Sequence, residues 1–192
     1  MALFTETELR TRARQKSSVL AKAFDSVLRE HVVKQEKVAR HDVFLSHAYE
    51  DKELIVGAAA AIEDLGYTVY LDWRDDPQLD RSKVTAATAE RLRTRLRASR
   101  SLFYSTTAQS STSKWMPWEL GFQDGSNSRA AILPVTSSGQ TDDYKGQEYL
   151  GIYPYIARGK TQGGVEKIWV HRSASQYISF DEWLLGKQPY EH

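Results

Sequence analysis

Apolar residues recur along this chain in two rhythms. From Leu9 through Ala13, Leu20, Phe24, Val27 and Leu28 they return every three or four positions, with arginines and lysines between them, which is the stripe of an amphipathic helix. Thr5 and Glu8 stand in the T-x-x-E spacing of a capping box, and Phe4 and Leu9 bracket it as a hydrophobic staple. Residues 1 to 40 are therefore predicted to form one or two helices ahead of the main domain. At Val43, Phe44 and Leu45 the rhythm becomes a short continuous apolar run, as in a strand buried on both faces. Leu54, Ala58, Ala61, Ile62 and Leu65 resume the helical spacing, and Gly66 stands where a C-terminal cap belongs.

The same alternation repeats downstream. TVYLDW (68–73) reads as a strand and leads through the acidic loop DWRDDPQLDRS into a helix striped by Val84, Thr88, Leu92 and Leu96. SLFYS (101–105) and AAILPV (130–135) are two further strands, separated by a Ser/Thr-rich connection and the segment KWMPWELG (114–121). Strands alternating with helices predict an α/β domain whose parallel sheet is covered by helices on both faces. Past Val135 the pattern weakens: GIYPYIARG and EKIWVHR fit strands, and SFDEWLLG has a capping-box start and a glycine stop. At 192 residues the chain holds one domain, with 1–40 as a helical extension, 41–135 as the core and 136–192 completing the same domain.

Composition narrows the chemistry. There is no cysteine, so disulfides, thiolate nucleophiles and cysteine-based zinc sites are excluded together. The five histidines lack metal-ligand spacing, so no metal site is expected. A net charge of +1 gives no global attraction to nucleic acid or to an acidic membrane surface. No apolar run is long enough to cross a bilayer and no signal peptide opens the sequence, so a cytoplasmic location is expected.

In open parallel sheets ligands bind beyond the carboxyl ends of the strands. That places Ser46 and His47 after the first core strand, Asp72 after the second, Ser105 after the third and the turn from Trp115 to Glu119 at one edge. Trp115 and Glu119 are i and i+4, so a helix would project both from one face. No G-x-G-x-x-G and no P-loop is present, so ordinary dinucleotide redox or phosphoryl transfer has no fingerprint.

DVFLSH, GYTVYLDW, SKWMPWELG and AAILPV, in that order, resemble the Toll/interleukin-1 receptor (TIR) domain over roughly residues 41 to 135. With DDPQLDRSKVT and WMPWELG, the chain is most similar to the stand-alone bacterial TIR proteins of anti-phage systems such as Thoeris. The resemblance implies a flavodoxin-like fold and cleavage of the nicotinamide–ribose bond of NAD+, which is substrate and not cofactor. It assigns Glu119 as the catalytic carboxylate and Trp115 as a ring-packing residue. His47 falls where the family lines the entrance, and Asp72 matches the acid ending the second strand. It further implies self-association through TIR surfaces, a phage-derived activator, and a nucleotide product that signals to a separate effector. One departure is the loop after the second strand, where QLDRS lacks the glycine many TIR domains carry.

The chemistry suits one acid. Glycosidases commonly pair two carboxylates because the leaving group needs a proton. Nicotinamide leaves as a neutral molecule from a cationic ring, so a single carboxylate that stabilises the oxocarbenium charge suffices. Water as nucleophile gives ADP-ribose, whereas the substrate's own adenine or ribose hydroxyl gives a cyclic product.

Ordinary alternatives stand beside these expectations. Glu119 taken alone fits a solvated helix carboxylate. Trp118 is expected to pack on the sheet, and Arg91, Arg93, Arg95, Arg97 and Arg100 to line a solvated face. Two rival functions are a non-enzymatic TIR adaptor and an enzyme like the nucleoside deoxyribosyltransferases.

Overall fold

The strands predicted from apolar runs line up as the centre of a single mixed sheet. The computed structural model describes residues 1–20, 40–72, 85–107, 110–137, 144, 146 and 148–192. Phe24, Val27, Leu28, Val84 and the acidic loop beyond Asp72, including QLDRS, lie outside them. Within the described residues the order is β3 (Val69–Tyr70), β2 (His41–Ser46), β4 (Ser99–Thr106), β5 (Ala130–Thr136), β6 (Tyr155–Lys160), β7 (Glu166–His171), β8 (Gln176–Ser179) and β9 (Tyr190–Glu191), with β1 (Phe4–Thr5) joined to β5. From β3 to β6 all neighbours are parallel, and from β6 to β9 all are antiparallel. Counted in chain order from β2, the parallel strands run 2-1-3-4-5, the flavodoxin-like order, whose topological switch falls between β2 and β4.

Alternation along the buried strands divides the core. Val43, Leu45, Phe103, Ala131 and Leu133 face α1 (Glu6–Leu20), α2 (Lys52–Glu63) and α5 (Phe180–Leu184). Phe44, Leu102, Tyr104 and Ile132 face α3 (Ala86–Arg97) and α4 (Met116–Asn127). The helical stripes lie where the spacing put them: Thr88, Leu92 and Leu96 are the buried positions of α3, whose Thr85 cap accepts from the Thr88 N–H at 3.1 Å. Gly66 ends α2 in the left-handed region, at φ +91°.

The N-terminal segment is built into the sheet. Glu8 N donates to Thr5 Oγ1 at 3.4 Å, so the predicted cap forms, and Phe4 and Leu9 are both fully buried. The Glu8 carboxylate goes elsewhere: Arg158 takes it with two bonds, at 2.5 and 2.6 Å, and stands 4.5 Å over the Phe4 ring. The register of β5 with β6 holds only at Ile132 and Tyr155. Residues 2–5 fill the space beyond, with Phe4 paired to Val135 and Ala2 exchanging backbone bonds of 2.7 and 2.8 Å with Arg158. Helix α1 then crosses α2 so closely that a methyl on Gly57 would overlap the Leu9 carbonyl. The basic residues of α1, expected to face solvent, reach across this crossing to Glu53, Glu63 and Asp64.

Candidate active site

The switch point lies at the carboxyl ends of β2 and β4. Ser46 ends β2 and lies on the same face as Phe44, two residues earlier, so its side chain meets α4. Its hydroxyl donates to Glu119 Oε2 at 2.6 Å, and Glu119 is 0% exposed. The local sequence explains how the carboxylate arrives there. Trp115 caps α4, Pro117 occupies the first turn where a missing N–H is harmless, and the Glu119 N–H donates to the Trp115 carbonyl at 2.8 Å. Glu119 thus sits in the first turn of its helix, where the helix dipole favours negative charge.

The other nominated residues are placed around this pair. Ser105 Oγ donates to the Ser46 carbonyl at 2.8 Å, fixing the end of β2 against β4. His47 is buried, with Nδ1 2.8 Å from the Leu45 carbonyl and Nε2 3.5 Å from Asp72 Oδ1. A carbonyl only accepts, so Nδ1 carries a proton and Nε2 faces the carboxylate. Asp72 is buried as well, directly beyond β3. Trp115 is 9% exposed, with its ring edge-on to Trp118 at 5.5 Å. Ser46, Glu119 and Ser105 are linked in one chain of hydrogen bonds, and His47 and Asp72 form a second pair.

Several neighbours were not nominated from the sequence. Tyr104 is the register partner of Ser46. Burial above all, then the nearby Tyr149, Tyr144 and Glu119, pushes its phenol up to about 12, so it stays protonated as a donor. Thr107, after β4, donates to buried Asp51. Strand alternation carried the signal for Tyr104, since a residue next to Ser105 must face the side that Ser46 faces; nothing local marked Tyr149.

One expectation is met in part and another needs correction. Trp118 packs against the core on the α3 and α4 side as expected but is only half-buried, stacked on Phe122 at 5.7 Å. Of the arginine run, only part is a solvated face. The Arg93 and Arg97 guanidiniums lie over Trp118 and Phe122 at 5.6 and 5.5 Å, and Arg95 lies over Tyr70 at 5.6 Å, because a guanidinium is attracted to an aromatic face.

A carboxylate removed from water is costly unless hydrogen-bonded. Here it is held by a hydroxyl at the carboxyl edge of a parallel sheet, beside an indole and a protonated phenol. That arrangement can stabilise positive charge developing on a ligand. Among the described residues no group of three or more histidine, aspartate or glutamate side chains is arranged to hold a metal ion, and no helix is long and apolar enough to cross a membrane.

No protein-family model matches the chain. It is 45% identical over 190 residues to the protein of Bacillus cereus (strain MSX-D12) named "Probable 3' cyclic ADP-D-ribose synthase ThsB'", a match covering 96% of this chain and 98% of that protein. It is also 33% identical over 83 residues to "Putative cyclic ADP-D-ribose synthase TIR2" of Cytobacillus dafuensis, covering 43% of this chain and 22% of that protein.

Proposed function

The chain belongs to the family of stand-alone bacterial TIR proteins of the Thoeris type, and on that premise we propose that it is a cyclic ADP-ribose synthase that cleaves the nicotinamide–ribose bond of NAD+. The observation that carries the assignment of the site is the fully buried Glu119 carboxylate, bonded to Ser46 at 2.6 Å.

Glu119 acts electrostatically. As the glycosidic bond lengthens, its electron pair goes to the nicotinamide nitrogen, which becomes neutral, and positive charge grows on the ribose. The carboxylate faces that charge in a place sheltered from water, where the attraction exceeds its strength in bulk solvent. Ser46 holds one carboxylate oxygen, and Ser105 steadies Ser46 through its carbonyl. Trp115 packs on a ring of the substrate, and His47 with Asp72 lines the approach.

Ring closure needs a nucleophile from the same substrate. The primed locant in the relative's name favours the 3' hydroxyl of the adenosine ribose. Its oxygen forms the new bond to the anomeric carbon and its proton passes to water. The product then carries the signal to a separate effector. Self-association through TIR surfaces and activation during infection complete the proposal.

The test is incubation of the purified protein with NAD+, with nicotinamide followed by chromatography and the nucleotide by mass spectrometry. A cyclic product is lighter than ADP-ribose by one water. Glu119→Gln is expected to lower nicotinamide release by about 100- to 1,000-fold in a folded protein. Turnover that survives Glu119→Gln would remove Glu119 from the mechanism, and no turnover at high protein concentration or with infected-cell lysate would favour an adaptor.

A further inference from the structure

The sheet has a second edge with its own cavity. β6 is parallel to β5 but antiparallel to β7, with Ile132 beside Tyr155 and Tyr155 beside His171. The amino ends of β5 and β6 therefore share an edge with the carboxyl end of β7, opposite the edge that carries Ser46. A cavity of about 340 Å³ lies there, between the strand ends at Pro154 and Arg172, the end of α4 at Asp124 and Ser128, and Trp183 of α5. That is room for a small molecule. Helix α4 joins the two edges, with Glu119 in its first turn and Asp124 in its last.

Backbone groups around the cavity are already satisfied. The Pro154 carbonyl accepts from the Ile132 N–H at 2.8 Å. The Asp124 carbonyl, at the negative end of α4, accepts from the Ser128 N–H at 2.9 Å and from Ser128 Oγ at 3.4 Å. Recognition is thus left to side chains. The Asp124 carboxylate accepts from the Tyr153 hydroxyl at 3.2 Å. Arg172 differs: it lines the cavity, yet its guanidinium makes no hydrogen bond, ion pair or ring contact among the described residues. Arg129 adds a second cation against the same wall, 5.3 Å over the Trp183 ring. Its side chain donates to the Ser128 carbonyl at 3.3 Å and has no carboxylate partner among the described residues. Burial holds its pKa below the usual arginine value.

Two guanidiniums therefore face one carboxylate, which a phenol already engages. Ile152, 70% exposed, adds an apolar lip. A guanidinium presents paired N–H donors that match the oxygens of a carboxylate or phosphate, and an apolar lip suits a carbon skeleton beside that group. We propose that this cavity is a second ligand site, separate from the one at Glu119, for a small organic molecule bearing a phosphate or carboxylate group, with Arg172 binding the oxyanion. The site stands whether or not the protein cleaves NAD+.

The test is an NMR titration of the isotope-labelled full chain, read at the Trp183 indole N–H. Ribose 5-phosphate and malate are added separately, against sodium chloride at matched ionic strength. At least one of them should shift the Trp183 resonance saturably at concentrations up to about 10 mM. Arg172→Ala, at an exposed position where the fold is not at stake, should raise Kd about tenfold, the effect of losing a hydrogen bond to a charged group. Arg172→Lys, which keeps the charge but not the paired donors, should recover part of the affinity. A response to ribose 5-phosphate alone identifies a phosphorylated ligand, a response to malate alone a carboxylate, and equal responses a site for either. No saturable shift with either compound overturns the proposal, and so does a Kd that Arg172→Ala leaves unchanged.

Discussion

Remove the Ser46 hydroxyl and the Glu119 carboxylate loses a 2.6 Å donor in a place water does not reach. A hydrogen bond to a charged group contributes about 1.5–3 kcal/mol, so Ser46→Ala should lower kcat for nicotinamide release by about tenfold or more while the circular dichroism spectrum stays that of the wild type. Unchanged kcat would mean that something else holds the carboxylate. At this scale the sequence was informative where chemistry coincides with strand ends. Ser46, His47, Asp72 and Ser105 were named because a parallel sheet presents those positions, and Trp115 and Glu119 because a helical turn separates them. The hydrogen bond between Ser46 and Glu119 was not legible, since it depends on how α4 settles against β2, far away in sequence.

Among the elements, the contact of α1 with α2 is the most demanding. Gly57 has no room for a methyl against the Leu9 backbone, and overpacking of this kind costs roughly 1–3 kcal/mol. Gly57→Ala should therefore lower the urea midpoint, with little change in the activity of the protein that remains folded. Phe4→Ala removes a fully buried ring and the surface beneath Arg158. A loss of about 3–5 kcal/mol is expected, read as a fall in the thermal midpoint. The ion pairs that accompany the helix crossing are exposed and contribute little by comparison. Strands β2, β4 and β5 were legible because burial on both faces demands unbroken apolar runs. β8 and β9 were not, because four and two residues at the antiparallel margin carry no such run. Phe4 and Thr5 were read as the cap of α1, which they form; that they also pair with β5 as β1 was not legible, because two residues carry no strand pattern.

Across the whole molecule, stability at high pH is set by phenols. Burial, aided by a hydrogen bond to Asp181, raises Tyr67, and burial aided by Tyr149 raises Tyr104 to about 12. In the unfolded chain these groups ionise near 10. The unfolded state therefore releases its protons first, so the contribution to stability is complete below pH about 10 and is lost as pH rises through about 12. Urea midpoints measured at pH about 9 and about 11 should differ, the second being lower, and Tyr67→Phe should reduce the difference. A flat profile across that range would contradict the burial of these rings.

The seating of residues 2–5 between β5 and β6 also sets an order of events during synthesis. This peptide leaves the ribosome long before either neighbouring strand exists, so it is fastened to strands made more than a hundred residues later, the Phe4 carbonyl to Thr136 being separated by 132. Until then Phe4 has no pocket and β5 offers a bare edge of the kind that recruits other chains. Closure over so long a separation is slow compared with local helix formation. A nascent chain halted before β6 would therefore be a target for chaperones, even with every residue around Glu119 already translated.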